Sequence, residues 1–332
     1  MKKVSVIIPT YNRAENIDRA INSIVNQTYK NIEIIVVDDN SNESECRTKM
    51  MEKMSKYANQ KNIIYLKHEV NKNGAAARNT GIQKSTGDYI TFLDDDDYYM
   101  PDRIEKLVSC LEKCSYGGAY SGFAIVKNKQ IISIKEADKF GKLDDDLLRQ
   151  HSFFGTGSNM FFRASIVKSL NGFDESFNRN QDLEFMIRFF QENEIINVPE
   201  ILVVKNIDDQ SNSKSFKKQF DSRMVFLDKF REIINSRNAK TKNQIYVANF
   251  LNLINLSFKS DEVKTNYKMC KNKLKDYNVN LNFKNKLFII VCYLNSIFKL
   301  KKIFFDKIAN SRVKKDKHYA QIIEFINKIE NN

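Results

Sequence analysis

The sequence predicts an α/β protein: a doubly wound sheet, parallel in its first half and mixed beyond it, flanked by helices and followed by an α-helical C-terminal region. Three observations predict this. Short β-branched runs alternate with helix-spaced apolar patterns over the first hundred residues. All ten glycines lie between Gly74 and Gly172, so tight turns and close backbone approaches belong to the first two thirds of the chain. Beyond about residue 209 glycine and proline vanish, and apolar residues recur at helical intervals among many Lys and Asn.

The elements follow in order. Residues 4–8 (VSVII) form a strand stopped at Pro9, and Ile17, Ala20, Ile21, Ile24 and Val25 mark one face of the next helix. Residues 32–37 (IEIIVV) read as a strand covered on both faces, followed by a polar helix over about 44–58. A third strand at 62–66 leads to a loop that runs into a helix over 74–82. A fourth, at 89–93, ends in four aspartates, and Pro101 opens a helix over 102–111. From Gly117 the pattern changes: 119–126 and 130–134 flank Lys127, Asn128 and Lys129 as a hairpin that adds antiparallel strands. A short helix at 182–190 and a strand at 195–204 close this part, and three or more helices follow. Within them, residues 287–298 are the most apolar stretch. Lys284 and Lys286 stand before it, and Lys299, Lys301 and Lys302 after it. Twelve residues are too few to span a bilayer but enough to lie in its interface. The expected division is 1–208 as the sheet domain and 209–332 as a basic helical region.

Charge divides the same way. The 332 residues carry 54 Lys and Arg against 41 Asp and Glu, a net of +13. Residues 1–210 hold 28 basic and 31 acidic side chains, a net of −3, while residues 211–332 hold 26 and 10, a net of +16. The basic excess therefore belongs to the C-terminal third, where anionic lipid is the expected partner and nucleic acid is not. Five cysteines without regular spacing, and no secretory signal ahead of the first strand, point to a reducing cytoplasm, with the chain peripheral on the cytoplasmic face of a membrane. Cys110 and Cys114 share a helix face but lack further Cys or His nearby for a zinc site, and read as packing residues.

In an open parallel sheet, ligands sit outside the carboxyl ends of the strands. Four such ends are unusually polar here: 9–13 (PTYNR), 38–41 (DDNS), 73–79 (NGAAARN) and 94–97 (DDDD). Four adjacent carboxylates repel one another, and a divalent cation relieves that repulsion through hard oxygen ligands. Alternate residues of an extended segment face one way, so Asp94 and Asp96 point together. With two protein carboxylates the ion is Mg²⁺ or Mn²⁺ completed by water and phosphate. The competing reading is a solvated acidic turn that caps the next helix. Asp39 can accept a hydrogen bond from a ring nitrogen of a base, and Tyr11 offers a face for stacking; a turn residue and a packing tyrosine are their plainer readings. Gly74 and Arg78 sit where a loop enters a helix, suited to a diphosphate. A nucleotidyltransferase would want a Gly-rich phosphate loop after the first strand, and no glycine precedes Gly74.

Five segments in register, 5–13 (SVIIPTYNR), 36–41 (VVDDNS), 74–82 (GAAARNTGI), 86–104 (TGDYITFLDDDDYYMPDRI) and 172–188 (GFDESFNRNQDLEFMIR), make the chain resemble glycosyltransferase family 2 over about two hundred residues. The resemblance implies a GT-A type, Rossmann-like mixed sheet and an inverting transferase using a nucleotide-sugar, with UDP the expected nucleotide. It implies that Pro9, Tyr11 and Asp39 hold the nucleobase, that Asp94 and Asp96 form the DXD metal site with Asp96 the direct ligand, that Asp94 or Asp95 touches ribose, and that Arg78 faces the nucleotide phosphates. Asp182 matches the family's catalytic base, although Gln181 stands where an acidic neighbour is common. It implies an acceptor that is a glycan or lipid-linked hydroxyl in surface-polysaccharide synthesis, with residues 1–100 binding the donor and 101–208 facing the acceptor; Gly155, Gly157 and Ser158, among Phe153, Phe154, Phe161 and Phe162, are expected to line the acceptor side, with core packing the alternative for the phenylalanines. The alternative to an enzyme is a non-catalytic protein that binds polyanions or membranes through its basic C-terminal region.

Overall fold

The β-branched runs become strands because side chains on both faces find cover. In the computed structural model, which describes residues 1–207, 215–298, 313 and 316–330, β1 (Val4–Thr10) and β2 (Ile32–Asp38) are buried almost throughout. They lie parallel, with Val4 beside Ile32 and Thr10 beside Asp38. The sheet continues with β3 (Ile63–Lys67), β4 (Tyr89–Phe92), β5 (Tyr98–Tyr99), β6 (Gly118–Lys127), β7 (Gln130–Lys135), β8 (Phe161–Arg163) and β9 (Ile195–Asn206). Its nine strands run in the order β3, β2, β1, β4, β8, β6, β9, β5, with β7 paired to β6. The first four are mutually parallel, whereas β8 is antiparallel to both β4 and β6. The sheet is therefore mixed, as expected, and the hairpin at 127–129 is present.

Three helices support the parallel half. α1 (Ile17–Val25) buries Ile17, Ala20, Ile21 and Ile24, and α2 (Glu45–Ser55) starts at Ser44, whose hydroxyl accepts from the Arg47 backbone amide. α3 (Gly74–Lys84) turns Ala75, Ala76, Ala77 and Gly81 to the sheet. A side chain at Gly81 would fall on Ile7, so small residues let this helix lie close on β1 and bring its N-terminus to the strand ends. The remaining elements are α4 (Arg103–Glu112), α5 (Asp144–Leu148), α6 (Ala164–Ser169), α7 (Gln181–Glu192), α8 (Phe216–Lys229), α9 (Arg231–Asn235), α10 (Ala239–Ser257), α11 (Val263–Asp276), α12 (Phe283–Phe298) and α13 (Tyr319–Glu330).

These segregate into two units whose division is not a single cut. The sheet unit includes α13, which buries Ile322 and Ile326 in the sheet's own core and sets Phe325 at a tilt against Tyr98, while Lys317 just ahead of it pairs with Glu136. The helical unit gathers α5 with α8 to α12 around Leu147, Phe226, Phe230, Ile245, Phe250 and Leu253. Within it Arg237 pairs with Asp144 and Asp145, and the Asn249 amide donates to the Leu148 carbonyl. Thus 144–151 sorts with the later helices, and 316–330 returns to the sheet. The expected boundary at 208 and the lysines at 299, 301 and 302 lie outside the described residues. Among the described residues no helix is long and apolar enough to cross a membrane, and the cysteines are free.

Candidate active site

The carboxyl ends of β1, β2 and β4 open into a cleft of about 530 Å³ lined by Pro9, Tyr11, Arg13, Asp39, Gly74, Arg78, Asp94 to Asp97, Thr156 and Lys205, among others. The structure thus gathers every nucleotide and metal residue expected from sequence. Tyr11 is 48% exposed, an aromatic face open to a ligand. Asn12 takes a positive φ to make this turn, and its amide donates to the Asn40 side chain.

Asp39 is buried and already engaged. Its carboxylate accepts from the Lys72 amide (2.9 Å), the Asn73 amide (3.0 Å) and the Asn71 side chain (2.8 Å), and it meets His68 Nδ1 at 2.7 Å. His68 Nε2 lies 2.8 Å from the Thr80 hydroxyl on α3. Asp39 therefore shapes the 71–73 loop, using about the four acceptor positions a carboxylate has. The loop ends at Asn73, which adopts φ 98° and caps α3 by accepting from the Ala75 and Ala76 amides.

The aspartate run is divided between surface and interior. Asp94 and Asp96 reach the cleft: Arg78 holds Asp94 at 2.5 Å, and Arg13 pairs with Asp96. Asp95 points inward, where the Thr10 hydroxyl donates to it at 2.7 Å and Arg13 approaches at 3.3 Å. Burial and the adjacent Asp96 push its carboxyl up to about 7, against the opposing pull of Thr10 and Arg13. Asp97 is almost wholly enclosed, accepting from Thr156 (3.0 Å), Ser158 (2.7 Å) and the Asn206 amide (3.1 Å). Burial, with repulsion from Asp96 and Asp94, raises it well above the carboxylate range. Because Ser158 also accepts from the Asp94 amide at 2.9 Å, Asp97 sets the position of Asp94 through that hydroxyl.

Asp94 and Asp96 are the aspartates that open to the cleft, and Arg78 and Arg13 are each already paired with one of them, so a diphosphate entering beside them meets carboxylates whose arginine partners are committed. Asp94 and Asp96 are hard-oxygen donors directed to the same space. Among the described residues no cluster of three or more His, Cys, Asp or Glu is placed to hold an ion. That donor set fits Mg²⁺ or Mn²⁺, which take remaining ligands from water and phosphate, and does not fit a closed zinc site.

Asp182 lies in the first turn of α7, its carboxylate accepting from the Leu183 amide at 2.9 Å. Burial raises its carboxyl, opposed by the Leu183 amide and Arg78 and reinforced by Asp94. It is not among the residues lining the cleft; its neighbour Gln181 is tied to them, since Arg78 bridges Asp94 to the Gln181 side chain (3.1 Å), whose amide donates to the Phe177 carbonyl. The neutral residue at 181 thus accepts a guanidinium already committed to Asp94. The expected phenylalanine lining is corrected. Phe154, Phe161 and Phe162 are buried in the core, Phe162 against Phe185 and Phe189 on α7, and Phe153 packs on Tyr120. Of that segment, Thr156 faces the cleft.

Arg13, His68, Asp97, Thr156 and Lys205 are site residues the sequence reading did not single out. Arg13 carried a signal, since it closes the PTYNR strand end opposite four aspartates. Lys205, whose ammonium donates to the Gly155 carbonyl at 3.2 Å, reaches the cleft only through the pairing of β9 with β6.

The sequence pattern of Glycosyl transferase family 2 matches residues 5–170. The chain belongs to this family. It is 31% identical over 194 residues to the amylovoran biosynthesis glycosyltransferase AmsB of Erwinia amylovora, covering 55% of this chain and 62% of AmsB. It is 34% identical over 129 residues to the UDP-Glc:alpha-D-GlcNAc-diphosphoundecaprenol beta-1,3-glucosyltransferase WfgD of Escherichia coli, covering 39% and 49%. The chain spans less than two thirds of the length of either relative. Among solved structures, S. aureus TarS 1–349 in complex with UDP-GlcNAc superposes with a TM-score of 0.56 at 16% identity, over 82% of this chain and 92% of that one. The mannosyltransferase PcManGT of Pyrobaculum calidifontis, in complex with GDP-Man and Mn²⁺, superposes with a TM-score of 0.53 at 14% identity, over 90% and 88%. These likenesses give the fold, a GT-A type mixed sheet with a helical region after it.

Proposed function

We propose that this family 2 chain is an inverting glycosyltransferase. It moves a sugar from a nucleoside-diphosphate donor, with UDP the expected nucleotide, to a hydroxyl of a glycan or lipid-linked acceptor in surface-polysaccharide synthesis. The carrying observation is the convergence at one cleft of an open aromatic face, a helix N-terminus with Arg78, and two outward carboxylates. Pro9, Tyr11 and Asp39 form the base site, Asp39 by ordering the 71–73 loop beside it. The α3 N-terminus and Arg78 receive the diphosphate. Asp94 and Asp96 would hold Mg²⁺ or Mn²⁺, and of the two residues expected at the ribose Asp94 faces it, since Asp95 points inward to Thr10. When bound, the cation neutralises charge that develops on the departing diphosphate. Asp182, raised by burial, takes the acceptor's proton as that oxygen forms a bond to the anomeric carbon and the bond to phosphate breaks; one displacement inverts the centre. Two names support this reading: WfgD acts from UDP-Glc on a lipid-linked sugar, and PcManGT holds GDP-Man with Mn²⁺. Attachment to the cytoplasmic face of a membrane through the basic C-terminal region belongs to the same reading.

A donor screen tests it: release of nucleoside diphosphate from UDP-Glc, UDP-GlcNAc, UDP-Gal and GDP-Man, with Mn²⁺ or with EDTA. One donor should turn over with Mn²⁺ and stop with EDTA, and Asp96→Ala should abolish release while the circular dichroism spectrum is kept. Release that persists in EDTA and in Asp96→Ala overturns the assignment of the cleft.

A further inference from the structure

Helix α12 is amphipathic in the reverse sense. Its half-buried stripe is Asn285, Ile289, Cys292 and Ser296, at i, i+4, i+7 and i+11, so the face toward its own unit is polar or small at three of four positions. Its open face carries the large apolar side chains: Phe283 is 79% exposed, and Leu287, Ile290, Val291 and Leu294, at i, i+3, i+4 and i+7, are between 40% and 53% exposed. Together with their neighbours they leave on the order of 600 Å² of apolar surface in water, at the upper end of what a monomer tolerates without a partner. The burial of a soluble surface helix would put these residues inward.

Charge selects what covers this face. Lys284 and Lys286 stand exposed in the first turn. Lys264, Lys268, Lys271 and Lys275 are exposed on the preceding helix α11 of the same unit. No acidic residue occurs between Asp276 and Asp306, and residues 211–332 carry a net of +16. A second copy would set one strongly basic region against another, and a nucleic acid would leave the apolar stripe in water. An anionic bilayer satisfies both features: acyl chains accept the apolar face and headgroups accept the lysines. At 16 residues the helix is about 24 Å long, suited to lying in the interface rather than crossing it.

The geometry points to α12 as an interfacial anchor, lying in the surface of an anionic membrane with Leu287, Ile290, Val291 and Leu294 inserted. This deepens the membrane part of the proposed function and rests on it, while the transfer chemistry is tested separately. The experiment floats the full chain on a sucrose gradient with vesicles of phosphatidylcholine and phosphatidylglycerol (70:30) or of phosphatidylcholine alone. The protein should rise with the mixed vesicles and at least tenfold less with the neutral ones. The variant Leu287→Ser, Ile290→Ser, Leu294→Ser should lose binding at least tenfold with its circular dichroism and its release of nucleoside diphosphate unchanged. Lys284→Gln with Lys286→Gln should weaken binding and its sensitivity to salt. Failure of the wild type to float, or equal flotation by the triple serine variant, overturns the anchor. So does a wild-type dimer by light scattering without vesicles that the serine variant converts to monomer, because the face then belongs to a second copy. Flotation in a chain without donor turnover would sink the transferase reading and leave the anchor standing.

Discussion

Glu33 is the sharpest test of what holds the sheet together. It sits on β2 beside Ser5 of β1, with its side chain 5% exposed. The carboxylate accepts from the Ser5 hydroxyl (2.5 Å), the Thr86 amide (2.6 Å) and the Thr86 hydroxyl (2.8 Å), and pairs with Lys3 at 2.5 Å. Burial pushes the carboxyl up, but Lys3, Ser5 and Thr86 outweigh it and hold it at about 2. The gap from the ordinary 4.5 corresponds to about 3 kcal/mol of folding free energy, which screening at the partly exposed Lys3 reduces to about 2 kcal/mol. Because the folded value is depressed, this stability is fully present above pH 4.5 and is lost as pH falls toward 2. Glu33→Gln should therefore lower the unfolding free energy by about 2 kcal/mol at pH 7, and by less than half of that at pH 3. Urea unfolding followed by circular dichroism suits a chain without tryptophan. A loss under about 1 kcal/mol at pH 7, or one that does not shrink at pH 3, would refute the clamp. A loss erased by 0.5 M NaCl would assign it to Lys3 instead of the buried donors.

Asp182→Asn should cut turnover by roughly a hundred- to ten-thousandfold while leaving UDP affinity within twofold by calorimetry. Since burial raises the Asp182 carboxyl, the acidic limb of the rate profile should lie above the free-carboxyl value, with the rate falling as the base is protonated. A limb at or below that value would contradict this. Tyr11→Ala should weaken UDP binding by roughly 1–3 kcal/mol if the open ring stacks on the base; an unchanged dissociation constant would exclude stacking. Gly155→Ala places a side chain on the Phe123 ring at φ +78° and should cost roughly 2–4 kcal/mol, while Gly141→Ala, at φ +88° in open space, should cost only about 1–2 kcal/mol; equal melting temperatures would refute the packing argument.

The parallel half of the sheet was legible because residues 4–8 and 32–37 are local signals: runs that need cover on both faces and end where the polar residues begin. The gathering of Pro9, Tyr11, Asp39, Arg78 and the aspartates followed from the same logic, since strand ends in a parallel sheet share one edge. What remained hidden depends on contacts distant in sequence. β8 is only three residues long, yet it sits in mid-sheet between β4 and β6, so its phenylalanines are core and not lining. The division of the aspartate run reflects which carboxylate meets Thr10 and which meets Ser158, partners about 60 and 85 residues away. The return of α13 depends on Ile322 and Ile326 finding a surface that periodicity alone does not identify.

That return has a consequence for the order in which the protein is made. All nine strands have been synthesised by Asn206, but the surface around Tyr98 that receives Ile322 and Ile326 stays uncovered until more than a hundred further residues have been added. At roughly 5–20 residues per second, that interval lasts on the order of ten seconds. Through it the nascent sheet carries an exposed apolar surface, because the cover it needs is encoded far downstream of its own strands.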